Sequence, residues 1–159
     1  MQWDTLGRSA SIITLCVLTA ACGLPRDPGK TSERVASTHE LRVGVTDNPP
    51  WTDASKAEPT GTEPDLVRRF AASTGARVLW TQGSESALVK ALKDHELDIV
   101  IGGFDAKTQW SSTAGASQPF VKDADGKKHI VLAAPGENRF ILSLDRFLTQ
   151  QMRASEGQS

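Results

Sequence analysis

Two short clusters in this chain carry residue types able to hold a small polar molecule. In "TDNPPW", Asp47 offers a carboxylate, Asn48 an amide and Trp51 an indole face within five positions. Such groups can pair with an amine, exchange hydrogen bonds and stack on a flat or cationic body. Each also has a plain structural role. Asp47 can cap the turn before Pro49 through its own oxygens, and Trp51 can simply cover the end of a sheet. Ser84, Glu85 and Ser86 form a second set, suited to ligand contact and equally to the N-cap and first turn of a helix. Glu63 and Asp65 bracket Pro64 at another helix start. Paired carboxylates can do acid–base work in a shared pocket with displaced pKa values, but interaction with the helix dipole is their default role.

Catalysis finds no constellation to rest on, and the sequence reads as a non-enzyme without a cofactor. His39, His95 and His129 are scattered, without the spacing of metal ligands. Cys16 and Cys22 are the two cysteines, so residues 23–159 contain no disulfide, thiol nucleophile or Cys-based zinc site. "GGF" is not a phosphate-cradling glycine pattern, and neither GxSxG nor HExxH occurs. A net charge of −1 gives no electrostatic case for nucleic acid or for an anionic membrane surface as partner.

The elements that must position these residues follow from apolar patterning. "LRVGV" (Leu41 to Val45), "ARVLWTQ" (Ala76 to Gln82, with Trp80 expected in the core) and "LDIVIGG" (Leu97 to Gly103) predict strands. Between them, Leu66, Val67, Phe70 and Ala71 predict one helix and Leu88, Val89 and Leu92 another. "HIVLAA" predicts a further strand, and Phe140, Ile141, Leu144, Phe147 and Leu148 a closing helix. The order β-α-β-α-β, then β-α, predicts a three-layer α/β/α domain with a mostly parallel sheet. In such sheets ligands bind beyond the carboxyl ends of the strands. "TDNPPW", "GSES" and "GGFDAKTQW" all fall at that edge.

Taken in order, "LRVGVTDNPPW", "GTEPDLVRRFAASTGARVLW", "ALVKALKDHELDIVIGGF" and "SQPF" resemble the first lobe of the family 3 bacterial extracellular solute-binding proteins. His129 to Gln151 is similar to the segment in which that family's chain returns to its first lobe. The resemblance implies a receptor for amino acids or related polar solutes, working with an ABC permease. It also implies that Trp51 flanks the ligand beside Asp47 and Asn48, that Gly102, Gly103 and Phe104 meet it through backbone groups, and that Thr108 contacts a ligand carboxylate. The family's usual arginine is absent: Trp110 stands there in "TQW". The family has two lobes. Here only "VKDADGKK", Val121 to Lys128, separates "SQPF" from "HIVLAA", which predicts a one-lobe version with a hairpin-like connection. A clamp that buries its ligand needs two walls, so one lobe is expected to bind weakly unless a dimer, a permease or a second protein completes the cleft.

The N-terminus completes the expectation. Arg8 precedes the apolar run Ala10 to Cys22, too short to span a bilayer. Its end, "LTAAC", resembles a bacterial lipoprotein signal, which implies lipidation of Cys22 and a membrane anchor. An ordinary cleaved signal with an unmodified Cys22 is the alternative. The boundaries expected are a signal at 1–21, a flexible Pro/Gly/Ser/Thr-rich tether at 22–39, the α/β lobe at 40–152 and a polar tail at 153–159. The protein is then expected to be extracytoplasmic and lipid-anchored. It binds a small polar solute or, on the same scaffold, a protein partner.

Overall fold

The structure, a computed structural model, describes residues 27–157. The signal and the lipidation residue Cys22 lie outside the described residues. The first strand, β1 (Glu40–Val45), is followed by helix α2 (Thr62–Ser73), strand β2 (Arg77–Gln82), helix α3 (Glu85–Lys93) and strand β3 (Ile99–Ile101). A 3-10 turn at Gln109–Ser112 leads to β4 (Gly115–Ala116), β5 (Val121–Lys122), β6 (Lys128–His129), β7 (Leu132–Ala133) and helix α4 (Asn138–Glu156). A short helix α1 (Thr31–Thr38) precedes them all.

The central sheet has five strands in the order β2-β1-β3-β7-β4. β1 pairs in parallel with β2 and β3, whereas β7 is antiparallel to both β3 and β4. Four strands therefore run one way and β7 alone runs back. Strand alternation divides the core. Val43, Val45, Ile99, Ile101 and Ala133 point to the face covered by α2 and α4, where Phe70, Phe140 and Leu144 pack. Val100, Leu132 and Ala134 point to the other face, under Leu88, Val89 and Leu92 of α3. A β-carbon at Gly44 would stand 2.8 Å from Leu97 and 3.1 Å from Leu88. Its absence lets α3 settle on the sheet. These are the three layers expected.

Three differences from expectation have physical causes. Residues 31–38, expected within a flexible tether, are helical because polar contacts hold them. The buried carboxylate of Glu137 accepts the N–H groups of Gly29 and, at 2.9 Å, Thr31. Asp27 accepts from Ser32 N–H at 2.9 Å, Arg34 pairs with the buried Asp98, and Val35 enters the core. "HIVLAA" is not one strand but two. His129 pairs with Val121 in a small β5–β6 hairpin, while Leu132 and Ala133 cross into the central sheet. Trp80 is half-buried, with the Arg68 guanidinium 5.3 Å from its ring centre. The hairpin's turn is closed by Gly126 N–H donating to Asp123 O.

Candidate functional site

The carboxyl ends of β1, β2 and β3 carry the loops that hold all ten candidate residues, and side chains on those loops tie two pairs of them together. After β1, Asn48 exchanges backbone hydrogen bonds with Thr52, so that Asp47 to Trp51 form a tight projecting loop. Thr52, fully buried, pins this loop by donating its hydroxyl to Thr46 O at 2.6 Å. Asp47 accepts from Ala54 N–H at 2.8 Å, a turn-capping bond that leaves its other oxygen toward solvent. Asn48 reaches to the third strand's loop and donates from Nδ2 to Gly102 O at 2.8 Å. Gly103 takes φ 70°, and a β-carbon there would collide with Asn48 Nδ2 at 2.2 Å. Glycine is therefore required on both counts.

Glu63 is the hub of the site. Fully buried at the start of α2, it accepts through Oε2 from Gly102 N–H at 2.9 Å and Gly103 N–H at 3.0 Å. Its own N–H donates to Trp51 O at 3.1 Å. Burial pushes the Glu63 carboxyl above its ordinary value of 4.5, against the opposing pull of the Gly103 and Gly102 amides and of His129. Its second oxygen faces His129 Nδ1 at 3.7 Å, and both atoms are buried without a hydrogen-bond partner. His129 in turn lies against Trp51, ring centres 3.7 Å apart with the planes tilted by 32°. Its Nε2 meets Asp123 at 3.1 Å, a bond that holds the Asp123 carboxyl below its ordinary value of 3.8. A carboxylate, an imidazole and a second carboxylate thus run beneath the indole from helix to hairpin.

The remaining candidates divide. Thr108 caps the 3-10 turn, its hydroxyl accepting from Trp110 N–H at 3.5 Å. Trp110 bridges two loops, donating from Nε1 to Glu85 Oε2 at 3.0 Å. Ser84 caps α3 by accepting from Ala87 N–H at 3.4 Å. Phe104 is buried with Leu88 and Ile130, and its carbonyl accepts from Ile130 N–H at 2.9 Å. Gly102 has both backbone groups committed, one to Glu63 and one to Asn48. The groups left facing outward are the half-buried Trp51 and Trp110 rings and the exposed Asp47 and Glu85. A recess of about 560 Å³ adjoins this edge between Asp105–Lys107 and Asp125–Lys128, but none of the ten candidates lines it. The built chemistry lies at the Trp51 loop, where buried polar groups are spent on positioning. Among the described residues no cluster of His, Cys, Asp and Glu has the makings of a metal site.

Glu63 and His129 went unread at sequence level. Glu63 looked like a helix-dipole residue, and nothing local says that a carboxylate at the start of α2 meets glycines about forty residues on. His129 stood between two lysines and the apolar run "IVLAA", and nothing local says that its ring is buried between Glu63 and Asp123.

An α/β lobe with a mostly parallel sheet and its loops gathered at the carboxyl ends of the strands has the fold of one lobe of a periplasmic binding protein. Residues 41–154 match the bacterial extracellular solute-binding proteins, family 3, and the chain belongs to that family. Among curated proteins it is 28% identical over 109 residues to the membrane-bound lytic murein transglycosylase F of Vibrio campbellii, covering 68% of this chain and 20% of that protein. It is 23% identical over 101 residues to a probable histidine-binding protein of Campylobacter jejuni, covering 63% of this chain and 40% of that one. The chain thus spans less than half the length of these curated relatives. Among solved structures, the arginine-bound form of domain 1 from TmArgBP superposes with a TM-score of 0.67 at 17% identity, covering 74% of this chain and 97% of that one. That likeness is one of fold, to a single lobe. Family membership also makes this an extracytoplasmic protein.

Proposed function

We propose that this protein is a membrane-tethered, one-lobe receptor for a small polar, amino-acid-like solute. The solute meets Trp51, Trp110, Asp47 and Glu85 at the carboxyl edge of the sheet. The observation that carries this reading is the buried Glu63, which fixes the Trp51 loop to the Gly102–Gly103 loop by accepting two amides on its carboxylate and donating its own N–H to Trp51 O. Buried polar groups committed to holding two exposed loops in register suit a preorganised binding edge. The TmArgBP neighbour supports a lone lobe as sufficient, since it is a single domain in an arginine-bound form. The C. jejuni relative supports an amino acid as ligand class. In this proposal Cys22 carries the lipid anchor and an ABC permease takes up the solute.

Titration calorimetry with amino acids, polyamines and polar osmolytes tests it. Saturable heat for one class, lost in Trp51→Ala, is expected; no heat from any of them removes direct solute binding. A second reading rests on a different observation. The Gly102 backbone is fully committed within the protein, and Trp110 is tied to Glu85. Such an edge suits a protein partner that has replaced the solute. Photo-crosslinking at Trp51 in native membranes separates the two: capture of one defined protein supports the partner, and protection by a solute supports the receptor. Lytic activity is a property of the whole V. campbellii enzyme, of which the match spans 20%.

A further inference from the structure

The N-terminal segment enters the body at the sheet edge opposite the binding loops. Every contact that holds it lies at the amino ends of the parallel strands. Arg34 pairs with Asp98, just before β3, and donates to Glu40 O at the start of β1. Glu137, which accepts Gly29 and Thr31, follows β7; because β7 runs backwards, Ala134 N–H donates to Asp98 O at that same edge. A β-carbon on Gly29 would touch the His95 ring, at the connection that leads from α3 into β3. Trp51, Glu85, Gly103 and Trp110 all lie beyond the other ends of these strands.

We infer that α1 acts as an orienting clasp, turning the binding loops away from the membrane that holds Cys22. The inference rests on the lipid-anchor reading above. Asp27, the first described residue, is bonded to Ser32 and Phe140 and stands five positions after Cys22. Five residues reach at most about 17 Å when fully extended. The five steps from Glu40 to Val45 in β1 alone rise about 17 Å, the whole of that reach, and the Trp51 loop projects beyond the end of the strand. The leash is therefore shorter than the body it would have to pass around to bring the loops to the bilayer. A free tether running to residue 39 would reach about 60 Å and impose no such limit. The ligand of this edge accordingly arrives from the aqueous side.

The test measures two distances to the bilayer. A click-reactive azide side chain is introduced at Lys56, on the loop edge, or at Glu96, on the entry edge; both are exposed. It carries a donor dye, and the lipidated full-length protein is reconstituted into phosphatidylethanolamine–phosphatidylglycerol vesicles with a headgroup acceptor. Transfer from position 96 is expected to exceed transfer from position 56 several-fold. Inserting a fifteen-residue Gly/Ser linker between Cys22 and Asp27 should bring the two values together. Equal or reversed transfer without the linker overturns the inference. Mass spectrometry of Cys22 tests the anchor separately. Where Cys22 is unacylated the anchor reading fails, and the same two distances are measured with its thiol coupled to a maleimide phospholipid, so the geometry is decided either way.

Discussion

Glu63 presents two oxygens with unlike duties, and its substitutions should separate them. Oε2 satisfies two amides, whereas Oε1 faces an imidazole without a hydrogen bond. Glu63→Ala leaves both amides unpaired and should cost about 2–5 kcal/mol in denaturant unfolding. Glu63→Gln keeps an acceptor and should cost far less. The sign of its pH dependence follows from burial. A carboxyl raised above 4.5 in the folded state contributes stability that is complete below 4.5 and lost as pH rises through the folded value. Melting curves of Glu63→Gln should therefore gain on the parent as pH climbs from 4.5, then run parallel. Asp123 has the opposite sign: lowered below 3.8 by its bond to His129, it contributes stability present above 3.8 and lost as pH falls. Asp123→Asn should thus flatten the acid limb of the same curve. Trp51→Ala should weaken the ligand found by calorimetry roughly tenfold, the scale of one lost aromatic contact.

At the level of elements, α1 is the sharpest case. It places a single apolar side chain, Val35, in the core, so apolar periodicity had nothing to detect. Its stability comes from Glu137 and Asp98, 106 and 64 residues away along the chain. Glu137→Ala should release residues 27–38 to fast amide exchange while α2 and α4 stay protected. Equal exchange in parent and variant would show that Val35 and Arg34 suffice. The central elements were legible for the opposite reason. β1, β3, α2 and α3 each bury a contiguous apolar face, and such a face is written locally. The loops could be placed on the right edge from strand order alone. What lay beyond reach was the wiring between them. Glu63 to Gly102, Trp51 to His129 and Trp110 to Glu85 join residues from different elements and loops, and only the fold brings them together.

For the whole molecule, a receptor with one wall leaves its ligand partly wet, so affinity depends on whether a second wall is recruited. Sedimentation with and without the calorimetric ligand is the direct measurement. A monomer that stays monomeric on binding places the whole site on this lobe. Ligand-dependent dimers would mean that two copies close on the solute together, and their formation should then be lost in Trp51→Ala along with the heat. With Cys22 anchored as proposed, a geometric condition is added, because two bodies on short leashes would have to meet edge to edge above the same bilayer.

The β5–β6 hairpin carries one more consequence. Val121 pairs with His129 and Lys122 with Lys128, with the five-residue turn 123–127 beyond them, so that the chain enters and leaves the turn at one point. Partners in an antiparallel ladder lie about 5 Å apart, close to the spacing of the chain ends in many independent domains. The turn is therefore a natural splice point. A foreign domain, such as a circularly permuted fluorescent protein, could be inserted at Asp125 without disturbing the central sheet, since Asp123 and Lys127 would still frame the junction. Because His129 lies directly under Trp51, whatever strains the ring stack would be passed to the inserted module, and the lobe would become a reporter of its own ligand.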